Sequence, residues 1–249
     1  MEAETPHNIK LPKKLSVKVL IKLFQKFAGV QGAAPPAHPA LRRGRNPPKK
    51  GTYRMKLILA SQSPRRKEIL ENLGLEFEIV TSDADESSSV TDPYRLVEEL
   101  SRRKGKAVRE LLLSQGRDLR DTVIIASDTV VSIDGEILGK PRDKKDAERM
   151  LKLLSGREHE VVSGICLIGK DTLGTSHEIT KVIFDEMDEK TIDSYIEKAQ
   201  PYDKAGAYAI QGLASAYISG IKGDYFNVVG LPVHALCQLF AKMFKENLL

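Results

Sequence analysis

Only two cysteines, Cys166 and Cys237, occur in the 249 residues. That is too few for a disulfide framework or a structural zinc cluster, and it fits a reducing compartment, so a cytoplasmic location is expected. Both sit in apolar segments and read as core residues. Long apolar runs are missing as well: none approaches the roughly 18 residues that span a bilayer, so no transmembrane segment is expected. Aromatic residues make up 6% of the chain and form no aromatic-rich basic face, which argues against a nucleic-acid groove. The length suffices for a sizeable core, in one large domain or two lobes.

The formal net charge of +5 misleads if taken over the whole chain. Residues 1–54 hold 12 basic against 2 acidic residues, leaving 27 basic against 32 acidic over 55–249, a net of −5. The basic balance therefore reports an extension, and the body is mildly acidic. Within the extension, Val17, Leu20, Ile21, Phe24 and Phe27 make an apolar stripe beside Lys18, Lys22 and Lys26. The spacing over 16–27 is that of an amphipathic helix resting on a membrane or a protein partner, with a poorly ordered leader as the plainer alternative. A linker rich in Ala, Pro, Arg and Lys follows over 32–51. Lysines interrupt the stripe and no small-residue cleavage site follows it, so a secretory signal is not expected. Organelle targeting stays open, weakened by Glu2, Glu4 and the scarcity of serine.

From Met55 the pattern alternates strands and helices, the punctuation of an α/β fold. Strands are expected over 57–60 and 77–81 and helices over 64–73 and 93–113. A β-branched strand over 122–126 should end at Ser127-Asp128-Thr129-Val130-Val131. A helix then begins near Asp143, packs through Ala147, Met150, Leu151 and Leu154, and stops at Ser155-Gly156. Alternating segments over 161–168 and 179–185 read as a hairpin. Helices are expected over 189–199 and 233–244, with a glycine-bearing segment over 203–223 between them.

The most informative stretch is Leu57-Ile58-Leu59-Ala60-Ser61-Gln62-Ser63-Pro64-Arg65-Arg66. It writes a strand, a tight turn and a helix with Ser63 as N-cap, Pro64 at the first helical position, and Ile69, Leu70 and Leu73 as the buried stripe. Two arginines at the positive end of a helix dipole are locally unfavourable unless an anion sits there. Helix N-termini bind phosphate through backbone N–H groups, and arginine matches phosphate with paired donors. A solvated surface pair is the plain alternative.

Four further pieces carry chemistry. Asp128 follows a buried strand, where open α/β sheets present reactive groups. Lys140 lies between Gly139 and Pro141, which stiffen its loop. Asp83, Asp85 and Glu86 offer hard oxygen ligands suited to Mg²⁺ beside phosphate-binding cations. The run Asp203-Lys204-Ala205-Gly206-Ala207-Tyr208-Ala209-Ile210-Gln211-Gly212 combines small residues that admit a ligand closely with a glutamine able to read a base edge.

These motifs, in this order and with Asp85-Glu86-Ser87, Lys104 and Gly139-Lys140-Pro141-Arg142 among them, resemble the Maf family of nucleoside triphosphate pyrophosphatases. The resemblance runs from about Met55 to the C-terminus. It implies an elongated two-lobed α/β mixed-sheet domain over 55–249 with a central cleft, similar to the inosine-triphosphate pyrophosphatase fold, and a homodimer. The 203–212 run is similar to the branch acting on dTTP and UTP, and differs from the 7-methyl-GTP branch.

By that resemblance Asp128 is the proton acceptor, and Arg65, Thr129 and Gln211 govern substrate choice. Ser61, Ser63, Arg66, Lys104, Lys140 and Lys204 lie near the phosphates, and Glu86 with Asp128 near a divalent Mg²⁺ or Mn²⁺. The implied reaction is hydrolysis between the α- and β-phosphates to a monophosphate and pyrophosphate. A nucleotide-binding regulator without turnover is the competing class.

Overall fold

The computed structural model describes residues 55–249. The helix and linker expected before residue 55 lie outside the described residues. Among the described residues seven strands are formed: β1 (Lys56–Leu59), β2 (Phe77–Ile79), β3 (Thr122–Ile133), β4 (Glu136–Leu138), β5 (Glu158–Ile168), β6 (Leu173–Phe184) and β7 (Ile218–Lys222). The helices are α1 (Pro64–Asn72), α2 (Pro93–Ser114), α3 (Lys144–Leu154), α4 (Glu189–Ala199), α5 (Tyr225–Val229) and α6 (Val233–Phe244). One mixed sheet results, ordered β2-β1-β3-β5-β6-β7 with β4 also on β3. The β1 strand runs parallel to β2 and β3, and the remaining pairs are antiparallel.

The helices start where the sequence caps them. Asp92, Asp143 and Asp188 each accept a backbone N–H of their own first turn, satisfying donors that the helix leaves unpaired. Ser63 occupies the N-cap of α1 and Pro64 its first position, but the Ser63 side chain makes no cap bond. Its backbone N–H instead donates to Ser61 Oγ at 3.2 Å, so the turn is closed by the preceding serine.

Strand β3 departs from expectation. It does not end at Ala126 but continues for 12 residues, because β5 pairs with it without a break from Ile124 to Ser132. On its other edge it changes partners. Thr122–Ile125 pair with β1 and Val131–Ile133 with β4, and residues 126–130 between them have no strand on that side. Asp128 therefore lies within a continuous strand, at the point where the sheet parts.

The cores sit towards either end of this long strand. At one end Leu57, Leu59, Val123, Ile125, Ile165 and Leu167 pack under α1 and α6, while Ile58, Ile124 and Cys166 on the opposite face pack under Val108 and Leu112 of α2. At the other end Val131, Ile133, Val182 and Phe184 pack with α3 and α4. The expected two lobes take this form, joined by β3, β5 and β6. Helix α2 lies close on the sheet because Gly164 has no side chain: a Cβ there would meet Val97 O at 2.2 Å.

Cys166 is buried and Cys237 packs at the margin of the first core. The hairpin, expected in two shorter pieces, extends over β5 and β6 in full. A 3₁₀ turn over Pro201–Asp203 leads into the 203–223 segment, which contains two more, Ala205–Ala207 and Leu213–Tyr217, and the edge strand β7. Among the described residues no helix is long and apolar enough to cross a membrane.

Candidate active site

The gap in the sheet opens a cleft of about 900 Å³, lined by Ser61, Ser63, Arg65, Arg66, Glu86, Lys104, Asp128, Thr129, Lys140, Lys204 and Gln211 among others. These residues reach one cavity although they span 150 positions from Ser61 to Gln211. Asp83 also lines it, whereas Asp85 turns away and accepts from Ser87 N and Ser87 Oγ at 2.8 and 2.7 Å.

Successive residues of a strand face opposite sides of a sheet. Asp128 accordingly meets α2 on one face, and Thr129 meets α1 and the α5–α6 connection on the other. Both line the cleft because it cuts through the plane of the sheet. Asp128 is buried, and Lys104 Nζ of α2 lies 2.5 Å from its Oδ1 and 2.9 Å from Glu86 Oε1. One ammonium thus draws two carboxylates together. Burial alone would raise the Glu86 carboxyl, but the hydrogen bond and charge of Lys104, with Lys140 and Arg66 beyond, hold it below its ordinary range.

On the other face Arg66 joins three parts of the wall. Its Nε donates to Gly230 O at 2.8 Å, Nη1 to Ser61 Oγ at 3.2 Å, and Nη2 to Thr129 Oγ1 at 3.1 Å. Burial lowers its pKa, opposed by the charge of Asp128, with Arg65 lowering it further. Two of its five N–H groups remain for a ligand. Arg65 and Lys140 form no ion pair among the described residues, and both line the cavity. Lys204 pairs with the neighbouring Asp203. The loops bearing Lys140 and Lys204 are tied together by Gly206 N–H donating to Gly139 O at 3.0 Å.

The cleft therefore offers several cations, a helix N-terminus and a carboxylate pair. That set suits an anionic, polyphosphate-like ligand and a proton acceptor beside it. The paired oxygens of Glu86 and Asp128 also suit a hard divalent ion, which usually takes one or two carboxylates and completes its shell with phosphate and water. Among the described residues no group of three or more His, Cys, Asp and Glu stands ready to hold an ion by itself.

Some contacts that support the wall from behind were not legible in the sequence. Ser163 on β5 is fully buried and contacts Thr129 Oγ1 at 2.8 Å, and its own hydroxyl donates to Asn227 O at 2.9 Å. The Gly230 carbonyl accepts from both Arg66 and Ser127 Oγ, the latter at 3.0 Å. Tyr208 in the cleft wall is held by a 2.7 Å contact with buried His159 Nε2. Only the strand register, which sets Thr129 opposite Ser163, reveals the first of these.

Comparison with known proteins agrees with this architecture. A "dTTP/UTP pyrophosphatase" of Thermosipho africanus (strain TCF52B) is 48% identical over 179 residues, covering 72% of this chain and 88% of that protein. Proteins of the same name from Ruminiclostridium cellulolyticum and Bacillus cereus (strain ATCC 10987 / NRS 248) are 45% and 44% identical, covering 75% and 76% of this chain and 95% and 91% of theirs. The family model described as "Maf-like protein" matches residues 56–243, which contain the whole cleft, and the chain belongs to that family.

Proposed function

We propose that this protein hydrolyses nucleoside triphosphates, dTTP and UTP foremost, at the α–β bond, releasing a monophosphate and pyrophosphate. The observation that carries this is the gathering of Asp128, Glu86 and Lys104 with Arg65, Arg66 and Lys140 around one cleft. The relatives named for dTTP and UTP support the choice of base.

Water is the nucleophile. Asp128, oriented by Lys104, accepts its proton as it attacks the α-phosphorus. Arg65, Arg66 and Lys140, with the N-terminus of α1 and Lys204, hold the phosphates and offset the charge that grows on the departing pyrophosphate. Gln211, on the opposite loop, offers an amide donor and acceptor to the base. Glu86 and Asp128 would hold Mg²⁺ or Mn²⁺, and the ion when bound would supply Lewis-acid polarisation of the phosphoryl oxygens. Physiologically the reaction removes modified or surplus pyrimidine triphosphates from the precursor pool, in the cytoplasm and as a homodimer.

The test compares wild type with Asp128→Asn on dTTP, UTP, CTP, ITP and 7-methyl-GTP. Turnover concentrated on dTTP and UTP, and lost in the folded variant, is the expected result. Near-normal hydrolysis by Asp128→Asn removes the assigned role of that carboxylate. Faster turnover of ITP or 7-methyl-GTP removes the pyrimidine assignment.

A further inference from the structure

We infer that Ser163, held by the backbone of Asn227, fixes Thr129 as a pure hydrogen-bond acceptor in the cleft and thereby selects bases with an imide N–H. The inference rests on the nucleotide reading above and adds to it a residue that never touches substrate.

The polarity follows from counting hydrogens. Asn227 O is a carbonyl and can only accept, so the 2.9 Å contact uses the single hydrogen of the Ser163 hydroxyl. Ser163 and Thr129 are cross-strand partners with their oxygens 2.8 Å apart. With the Ser163 hydrogen already committed, Thr129 must be the donor in that contact. Arg66 Nη2, which can only donate, occupies one lone pair of Thr129 Oγ1 at 3.1 Å. A hydroxyl has one hydrogen and two acceptor sites, so one lone pair is all that Thr129 has left to offer.

The far end of this relay is anchored. Asn227 is fully buried, and its Nδ2 donates to Val161 O at 2.9 Å and to Thr180 Oγ1 at 3.0 Å. Thr180 in turn donates to Asp224 O at 2.9 Å. Ser163 is itself completely buried, so bulk solvent does not compete for its hydroxyl. The chain from Thr180 through Asn227 and Ser163 to Thr129 has a single direction.

An acceptor-only oxygen has no hydrogen for a phosphate, whose oxygens also accept. Its complement is a nucleoside group that bears hydrogen. Uracil and thymine carry N3–H flanked by two carbonyls, whereas cytosine presents a bare N3. The Gln211 amide lines the same cleft and can serve a carbonyl beside that N–H. A 3′-hydroxyl could also donate, but every nucleotide has one and it would give no choice between bases.

The experiment measures kcat/KM of the full chain for UTP, CTP, N3-methyl-UTP and 3′-deoxy-UTP, in wild type and in Ser163→Ala, Ser163→Thr and Thr129→Val. Wild type should prefer UTP to both CTP and N3-methyl-UTP by at least about tenfold, because losing the N–H leaves a buried acceptor unpaired. In Ser163→Ala the Thr129 hydrogen is released and the UTP:CTP ratio should fall by about tenfold. Ser163→Thr, which keeps the hydroxyl, should restore it. A purely structural role would lower both substrates together and leave the ratio alone.

Equal rates for UTP and N3-methyl-UTP in wild type overturn the proposal without any variant having to fold. So does a loss confined to 3′-deoxy-UTP. An unchanged ratio in both Ser163→Ala and Thr129→Val, with UTP still hydrolysed, overturns the relay and leaves the pyrophosphatase reading standing. No hydrolysis of any triphosphate by wild type overturns both.

Discussion

The Lys104 ammonium lies 2.5 Å from Asp128 Oδ1, bringing helix α2 and the middle of β3 together at the parting of the sheet. A lysine in that place orients the carboxylate and, through its 2.9 Å contact with Glu86, ties the acidic loop to the cleft. Lys104→Met should reduce kcat/KM for dTTP by about 10²-fold, comparable to losing one preorganised charge-stabilising donor. Lys104→Arg should recover part of the loss. The Lys104→Met melt should also fall by several degrees, since Asp128 is buried and loses its partner, and Lys104→Arg should recover part of that as well.

Gly206 has φ +65°, and a Cβ there would lie 2.9 Å from Val131 Cγ2. Its N–H also holds the Lys140 loop through Gly139 O. Gly206→Ala should cost about 1–3 kcal/mol of stability from backbone strain and overpacking, read by urea unfolding. It should also raise KM more than wild-type-like loops allow. A variant with unaltered unfolding and kinetics contradicts the tight seat assigned to this glycine.

His159 is 2% exposed, and burial pushes its pKa from 6.5 down to about 4. Between those values the unfolded chain takes up a proton that the folded chain refuses. Stability should therefore fall as pH drops from 6.5 to 4, by about 3 kcal/mol from this group, and the effect should level off below. Unfolding free energies at pH 7, 5.5 and 4 for wild type and His159→Gln check it. Parallel losses in the two proteins contradict a buried neutral imidazole against Tyr208.

Residues 1–54 lie outside the matched family segment, which begins at Lys56. Deleting them should leave kcat/KM for dTTP within about twofold of the full chain, in keeping with the small effect of changes remote from a site. A collapse of turnover assigns the extension a part in the chemistry.

The strand, turn and helix from Leu57 to Leu70 were legible because capping, proline placement and apolar spacing are local effects. So were α3 and α4, whose aspartate caps and buried stripes sit within a few turns of sequence. The membership of the cleft was legible through the ordered motifs. What could not be read was the course of β3 beyond Ala126. Asp-Thr after a β-branched run looks like a turn, and only β5, pairing some 35 positions away, keeps it extended. Ser163 and Asn227 were hidden for the same reason. A serine among Val161, Val162 and Ile165 is ordinary in a strand, and its partner Asn227 lies 64 residues on. Ser63 holds the N-cap position without a side-chain cap bond, and its own backbone N–H donates to Ser61, a contact that the helix-start pattern does not announce.

The most direct measurement is product identification from dTTP with Mg²⁺. The structure predicts dTMP and pyrophosphate in equal amounts, since the proposed attack falls at the α-phosphorus. Production of dTDP and inorganic phosphate, or binding of dTTP with no hydrolysis at all, would contradict the account.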